Sequence, residues 1–356
     1  MRLLVTGGAG FIGSNLIHQI LDENPPEILV NLDSLTYSGN LKNLDRISSH
    51  TNYHFEQIDL TKPDKVIELV KHHRIDHVMH LAAESHVDRS INSPEPFLQT
   101  NIMGTFNLLE ACRTYWNGEF SGRRFLHVST DEVYGSLGPT GTFTESTPYQ
   151  PNSPYAASKA SSDLVVRSYG KTYQLPVLIT HCSNNYGPYQ FPEKLIPLVI
   201  LKAIHGRPIP IYGKGDNVRD WIHVSDHVSA LREILSQGQP GETYNIGGNQ
   251  EHSNLQLVRA ICSLLDEKHP SSIPEGANGH DALITFVTDR PGHDFRYAID
   301  NSKVEQTFGW TPQHDIQSGL AQTVDWYLSN DAWWRDILDQ RYDLQRLGIT
   351  DTPGKQ

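Results

Sequence analysis

Five residues carry the chemistry this sequence offers. Thr130, Asp131 and Glu132 are consecutive within the stretch His127 to Gly135, and Tyr155 and Lys159 follow, beginning twenty residues past Gly135. Residues Arg124 to Val128 read as a short buried strand. The hydroxyl and the two carboxylates therefore sit where a strand ends, the place where open α/β sheets carry their reacting groups. Tyr155 and Lys159 are four apart and share one face of a helix. A phenol is suited to taking a proton from an alcohol, but its ordinary pKa of ~10 is too high unless positive charge lowers it. Adjacent carboxylates whose surroundings leave one protonated and the other ionised supply an acid and a base together. A plain alcohol oxidation needs only Tyr, Lys and a Ser/Thr hydroxyl, so the acidic pair points to a further step. Elimination of water beside a new ketone fits. Oxidation at carbon 4 of a hexose acidifies the hydrogen on carbon 5, and an acid can then protonate the departing 6-hydroxyl.

The elements that must position these groups are legible at the N-terminus. Arg2 to Thr6 is a strand, followed at once by Gly7, Gly8, Gly10 and Gly13 and then by a helix of apolar period through Ile12, Leu16, Ile17 and Ile20. Glycines in that order permit a tight turn and a close approach of backbone to a pyrophosphate, and the helix N-terminus supplies N–H donors. A second strand, Glu27 to Leu32, ends at Asp33. An acid at that distance is expected on the adenosine ribose and repels a 2′-phosphate, which favours NAD over NADP. Ser34, Leu35 and Thr36 line the same edge. Beside this fingerprint, Tyr155 and Lys159 read as a proton-handling pair, with Lys159 on the nicotinamide ribose and the nicotinamide charge helping to lower the Tyr155 pKa.

The alternation continues. Tyr53 to Gln57 is a strand, Pro63 to Lys71 a helix with Thr61 as its cap, and His77 to Leu81 a strand ending in small alanines. Glu95 to Tyr115 is one long helix, Pro139 to Pro154 a surface loop, Tyr155 to Tyr169 a helix and Pro176 to Thr180 a strand. Beyond about 190 the alternation stops. Phe191 to His205 reads as helix, Pro208 to Tyr212 as strand, Lys214 to Trp221 as a charged loop and Thr243 to Ile246 as strand. Asn254 to Leu265 is a helix capped by Ser253, Ile284 to Val287 a strand, and Val304 to Phe308 and Ile316 to Leu328 helices. The expectation is an α/β fold: a Rossmann-type doubly wound parallel sheet with a smaller C-terminal α/β substrate-binding lobe. Residues 1–190 form the NAD-binding domain with the catalytic residues. Residues 191–356 form mainly the sugar-nucleotide lobe, with room for the chain to cross back.

A net charge of −12 over 356 residues argues against general nucleic-acid binding. No apolar run approaches the ~20 residues of a membrane span. Three cysteines, Cys112, Cys182 and Cys262, have no metal-like spacing, so a cytoplasmic location without disulfides is expected. His223, Asp226 and His227 superficially match a zinc motif, but the acid is Asp, and Asp226 is expected to act on a helix start instead; no metal is expected.

The stretches TGGAGFIGS (6–14), LDSLTYSGN (32–40), LAAESHVDRSI (81–91), STDEVYG (129–135), YAASK (155–159), CSNNYGPYQFPEKLIP (182–197) and DRPGHD (289–294) carry a resemblance. Through them the chain resembles the extended short-chain dehydrogenase/reductase superfamily and, within it, the dTDP-glucose 4,6-dehydratase family. Thr-Asp-Glu is the most specific part, since related epimerases usually lack both acids there. The resemblance implies that Thr130 hydrogen-bonds the sugar 4-hydroxyl, Tyr155 is the base in oxidation with Lys159 its partner, Glu132 removes the carbon-5 proton and Asp131 protonates the leaving hydroxyl. It implies NAD contacts from Phe11, Ile12, Asp33, Ser34, Leu35, Thr36, Asp59, Leu60, Leu81, Ala82, Ala83, Glu84, Thr100, Tyr155, Lys159 and Asn185. Ser85 and Asn184 would hold the substrate. Lys194, Leu195, Pro210, Ile211, Tyr212, Arg219, Asn254, Asp289, Arg290, Pro291, Gly292 and His293 would hold its nucleotide and pyrophosphate. Cys182 would lie near the nicotinamide without being a nucleophile. Members of this family are usually homodimers paired through a four-helix bundle that includes the Tyr155 helix, and their product feeds rhamnose or other deoxysugars. The nearest alternatives are a UDP-glucose 4,6-dehydratase, a 4-epimerase or a UDP-glucuronate decarboxylase. A non-catalytic NAD-binding sensor would have no need of Tyr155 and Lys159.

Overall fold

The structure, a computed structural model, describes residues 1–345. Seven strands form one parallel sheet: β1 (Arg2–Thr6), β2 (Ile28–Asp33), β3 (Tyr53–Gln57), β4 (His77–His80), β5 (Arg124–Thr130), β6 (Val177–Cys182) and, much later in the chain, Thr243–Ile246. The spatial order is β3-β2-β1-β4-β5-β6 and then Thr243–Ile246, with every pairing parallel. The strands are apolar because helices cover both faces. Helices Phe11–Glu23 and Val224–Gln237 pack on one face, around Leu16, Ile17, Leu231 and Ile234. Helices Pro63–His72, Thr105–Trp116 and Pro154–Tyr173 pack on the other, around Val66, Leu108, Trp116 and Val166. The strand order reverses between β1 and β4, so a crevice opens beyond their carboxyl ends.

Two small sheets form the second lobe. One contains Glu251–Ser253, Val218–His223 and Asn184–Tyr186; the other pairs Ile284–Val287 with Ile209–Tyr212. Their core joins helices Leu195–Ile204, Asn254–Lys268, Ile316–Ser329 and Asp331–Gln340 through residues such as Ile200, Ile261, Tyr327 and Trp334. Ser253 caps its helix as expected, with Gln256 completing a reciprocal capping box.

Several expectations are corrected. Lys214 to Trp221 is not simply a charged loop: Val218–His223 is a buried strand between two neighbours. Its polar side chains misled the reading because they are satisfied internally; Asp220 accepts from the N–H groups of Gly248 and Gln250. Thr61 is not a cap. Asp59 takes its N–H at 2.8 Å, and the helix starts from Lys62 with Pro63 at its first position. The long helix from Glu95 is interrupted by a π-helical turn at Leu98–Gly104, and a separate helix, Val87–Asn92, precedes it. The loop 139–154 buries Phe143, whose N–H donates to Ala298. Asp226 does stand in the first turn of the helix Val224–Gln237, as expected, and its carboxylate also accepts from the backbone N–H groups of Gln313 and His314. The end of the chain, 346–356, lies outside the described residues.

Candidate active site

β5 ends at Thr130, whose hydroxyl accepts from the Glu132 N–H and caps a tight turn over Asp131–Tyr134. Gly135 closes that turn at φ 88°, where a Cβ would stand 2.4 Å from the Gln150 carbonyl. Only glycine fits there. The helix Pro154–Tyr173 starts because Ser153 accepts from the Ala156 N–H and proline takes the first position. Tyr155 is thus in its first turn and Lys159 one turn on, facing β5. The Lys159 ammonium donates to the Val128 carbonyl at 2.9 Å.

One cavity joins these groups to the glycine turn. Its lining includes Gly7, Gly10, Phe11, Ile12, Gly13, Asp33, Ser34, Thr36, Asp59, Leu60, Leu81, Ala82, Ala83, Glu84, Ser85, Thr100, Thr130, Glu132, Tyr155, Lys159, Asn184, Asn185 and Lys194. Most of the expected catalytic and cofactor residues are therefore brought together. The crevice fits NAD. A Cβ on Gly7 would meet the Ala82 backbone at 2.8 Å, and one on Gly13 the Gly7 carbonyl at 2.2 Å, so the turn is shaped for close backbone approach. Asp33 is buried, accepting from the N–H groups of Ala9 and Leu35 at 2.9 and 2.8 Å. A carboxylate has about four acceptor sites, so room remains for ribose hydroxyls. Beside it stand Ser34, Thr36, Ser38 and Gly39, and among the described residues the only lysines or arginines lining the cavity are Lys159 and Lys194. The π-helical turn aims Asn101 at both backbone groups of Glu84, fixing the 81–85 wall. Asn184 presents a buried, unpartnered Oδ1 on the cavity wall, as a substrate-holding group requires.

The electrostatics separate the two acids. Burial, then the neighbouring Glu132 and Asp220 carboxylates, push Asp131 well above the usual carboxylate range. Burial also raises Glu132, but Arg290, Arg219 and Lys194 pull it back. Burial therefore favours the protonated form more strongly at Asp131 than at Glu132. It lies behind the cavity wall rather than on it, its Oδ1 accepting from Thr130 at 3.3 Å and its Oδ2 without a partner. Tyr155 departs from expectation: burial and the Glu132 carboxylate push its phenol well above its ordinary value in the protein alone, and the Thr130 hydroxyl only partly offsets them. Cys182 lines the cavity, and burial raises its thiol to about 12, which suits a packing group and not a nucleophile.

Other expected residues do not line this cavity. Leu35 packs into the core beside Asp33. Leu195 is half-buried at its helix start. Pro210, Ile211 and Tyr212 lie on a second-lobe strand, with Ile211 in its core. Asn254 starts its helix with its N–H on the Asn217 carbonyl. Asp289, Arg290, Pro291, Gly292 and His293 follow the Ile284–Val287 strand, and His293 Nδ1 is 2.6 Å from Asp289. Arg219 is not in a solvated loop: its guanidinium stacks 4.2 Å over Tyr297 and donates to the Asp294 carbonyl at 2.9 Å. This group still adjoins the catalytic end, since Arg219 and Arg290 both act on Glu132. Asp88, not foreseen in the sequence, ties it together. It accepts from Arg290 and from the Tyr212 hydroxyl, both at 2.9 Å. Asp163 was missed too, although its i+4 spacing from Lys159 was a readable signal.

Comparison with known proteins places this arrangement. The family model described as GDP-mannose 4,6 dehydratase matches residues 4–323. A dTDP-glucose 4,6-dehydratase of Neisseria meningitidis serogroup B is 53% identical over 352 residues, covering 98% of this chain and 99% of the relative. The dTDP-glucose 4,6-dehydratase of Bacillus anthracis, solved in complex with NAD, is 46% identical with a TM-score of 0.83, covering 94% of this chain and 99% of that one. The Streptomyces venezuelae dTDP-glucose 4,6-dehydratase DesIV, solved with NAD and TDP bound, is 45% identical with a TM-score of 0.86, covering 95% and 100%. The chain belongs to the GDP-mannose 4,6 dehydratase family and, within it, to the dTDP-glucose 4,6-dehydratases of the extended short-chain dehydrogenase/reductase superfamily.

Proposed function

We propose that this protein is an NAD-dependent dehydratase converting dTDP-glucose to dTDP-4-keto-6-deoxyglucose. The observation that carries the reading is the meeting of Thr130, Glu132, Tyr155 and Lys159 on one cavity, with the buried Asp131 carboxyl directly behind them.

Bound NAD supplies a positive ring beside Tyr155, a place for the carbon-4 hydride and the same hydride back at carbon 6. The residues of the chain do the rest. Tyr155 takes the proton of the 4-hydroxyl as carbon 4 becomes a ketone, with Thr130 orienting that hydroxyl. Lys159, whose ammonium donates to the Val128 carbonyl, would hold the nicotinamide ribose and supply positive charge near Tyr155. Glu132 removes the acidified carbon-5 proton. Asp131 supplies the proton with which the 6-hydroxyl leaves as water. Glu132 then returns its proton to carbon 5. There is no net oxidation or reduction.

Lys194, Tyr212, Arg219, Arg290 and His293 would hold the nucleotide and pyrophosphate. Charge-assisted donors of this kind match a diphosphate. Assays with dTDP-glucose and UDP-glucose under the same conditions test the base preference. Formation of the 4-keto-6-deoxy sugar from dTDP-glucose in preference to UDP-glucose is expected; turnover of UDP-glucose alone would overturn it.

A homodimer is part of the same reading. Leu98, Met103 and Phe106 on one helical segment, and Leu164 and Tyr173 on the helix beside it, are exposed apolar side chains on adjacent elements. Pairing of these segments with their copies gives a four-helix bundle that covers them. No helix of the described residues is long and apolar enough to cross a membrane. The three cysteines are unpaired and buried, which suits a reducing compartment such as the cytoplasm.

A further inference from the structure

One carboxylate on the cavity wall is not used by the dehydration steps above. Glu193 lines the cavity, yet its side chain is only 1% exposed. It accepts a hydrogen bond from the Tyr37 hydroxyl at 2.7 Å and another from Arg89 Nε at 2.9 Å. The Arg89 guanidinium lies 3.9 Å over the Tyr37 ring, closing a triangle of contacts. Burial and the Glu193 charge push the Tyr37 phenol well above its ordinary value, so it remains a donor.

The three residues come from three walls of one crevice. Tyr37 belongs to the segment whose Ser34, Thr36, Ser38 and Gly39 line the adenosine end. Arg89 follows the 81–85 wall in the helix Val87–Asn92. Glu193 belongs to the segment that also carries Lys194, whose ammonium donates to the Ser85 carbonyl at 2.8 Å. The Tyr37 segment is backed from outside by the C-terminal helix. Trp333 donates to Asn43 Oδ1 at 2.7 Å, and Arg341 to the Gly39 carbonyl at 2.7 Å. Glu193 thus contacts this loop in front, and Trp333 and Arg341 contact it behind.

We propose that Glu193 is a positioning residue that locks Tyr37 and Arg89 across the crevice and so retains NAD through the whole reaction cycle. The inference rests on the NAD-dependent reading above. That reading supplies the need: the cofactor is unchanged at the end of each turnover, and loss of its reduced form midway would strand an oxidised sugar. A buried, doubly bonded carboxylate is a strong link, because removing either donor leaves the buried Glu193 side chain short of a partner.

The test follows exchange of bound NAD for isotopically labelled NAD in the purified holoprotein, with no sugar present. Glu193→Gln is expected to speed exchange about tenfold or more, the size expected for losing a charge-assisted hydrogen bond. Tyr37→Phe is expected to speed it less, since Arg89 stays paired, and the double variant to exchange no faster than Glu193→Gln alone. Exchange unchanged in either folded variant, or effects that simply add, would overturn the proposal. If Glu193→Gln does not fold, Tyr37→Phe still decides. Sugar turnover by the wild type is read separately. A wild type that retains NAD and dehydrates nothing defeats the functional reading alone; one that takes up no NAD defeats the cofactor reading before any variant is made.

Discussion

The Asp163 carboxylate lies 3.0 Å from His181 Nε2, and neither side chain is exposed to solvent. The same carboxylate is 3.2 Å from His127 Nε2 and accepts from the Ser129 hydroxyl at 2.9 Å. Burial pushes Asp163 up, but the two imidazoles outweigh it and hold the acid below the usual carboxylate range. It is a buried anion one helical turn past Lys159. Burial lowers the Lys159 pKa, and Asp163 opposes that shift. Asp163→Asn is expected to cost about 3 kcal/mol of stability, as breaking a buried charge network does. It also lets Lys159 lose its proton at lower pH. The alkaline limb of the oxidation rate therefore moves to lower pH, which a pH–rate profile alongside thermal unfolding would show. An unmoved limb would mean that Asp163 is structural only.

Glu132 and Asp131 act in opposite protonation states. Glu132 must be ionised to take the carbon-5 proton, and burial raises its pKa. Activity is therefore lost as pH falls through a value above the ordinary ~4.3 of a free glutamate. Glu132→Gln and Asp131→Asn should each slow dehydration about 10²- to 10⁴-fold, the range of general acid–base catalysis. Oxidation should slow less, so reduced cofactor accumulates in a single turnover, visible by its near-ultraviolet absorbance. Equal slowing of both steps would remove the two carboxylates from the elimination.

Tyr155→Phe keeps the ring, including its edge contact with Phe97 at 6.3 Å, and deletes the phenol. Oxidation is expected to fall by about 10³-fold or more with thermal unfolding little changed. Near-normal turnover would mean that another group takes the alcohol proton.

Gly13→Ala places a methyl 2.2 Å from the Gly7 carbonyl, against backbone that cannot give. The first turn of the helix must shift, at a cost of about 2 kcal/mol in stability. NAD affinity, read by titration of the refolded protein, should fall together with the unfolding midpoint. Unaltered affinity would show that the turn does not cradle the pyrophosphate.

Much of this site was legible because its signals are local. Gly7 to Gly13 and Asp33 form one strand–turn–helix unit, and Tyr155 and Lys159 share one helix face. The parallel sheet followed from alternating apolar runs. What stayed hidden depends on partners far along the chain. Val218–His223 looked like a loop because Arg219 and Asp220 are polar, yet Arg219 finds the Asp294 carbonyl and Asp220 the 248–250 backbone. The sequence left room for the chain to cross back but did not mark which segment does so; Thr243–Ile246 extends the large sheet against β6. Asp163 becomes a counter-charge only when parallel pairing sets His127 and His181 on neighbouring strands. The Tyr155 pKa could not be read from its neighbour Lys159, since the ammonium turns to Val128 and Glu132 stands closer to the phenol electrostatically.

Incubation with dTDP-glucose deuterated at carbon 4 tests the central claim most directly, with the product read by mass spectrometry and NMR. Oxidation, elimination and hydride return on one retained cofactor predict a 4-keto-6-deoxy sugar with deuterium at carbon 6. A dehydrated product without the label at carbon 6, or no dehydration at all, would contradict the account.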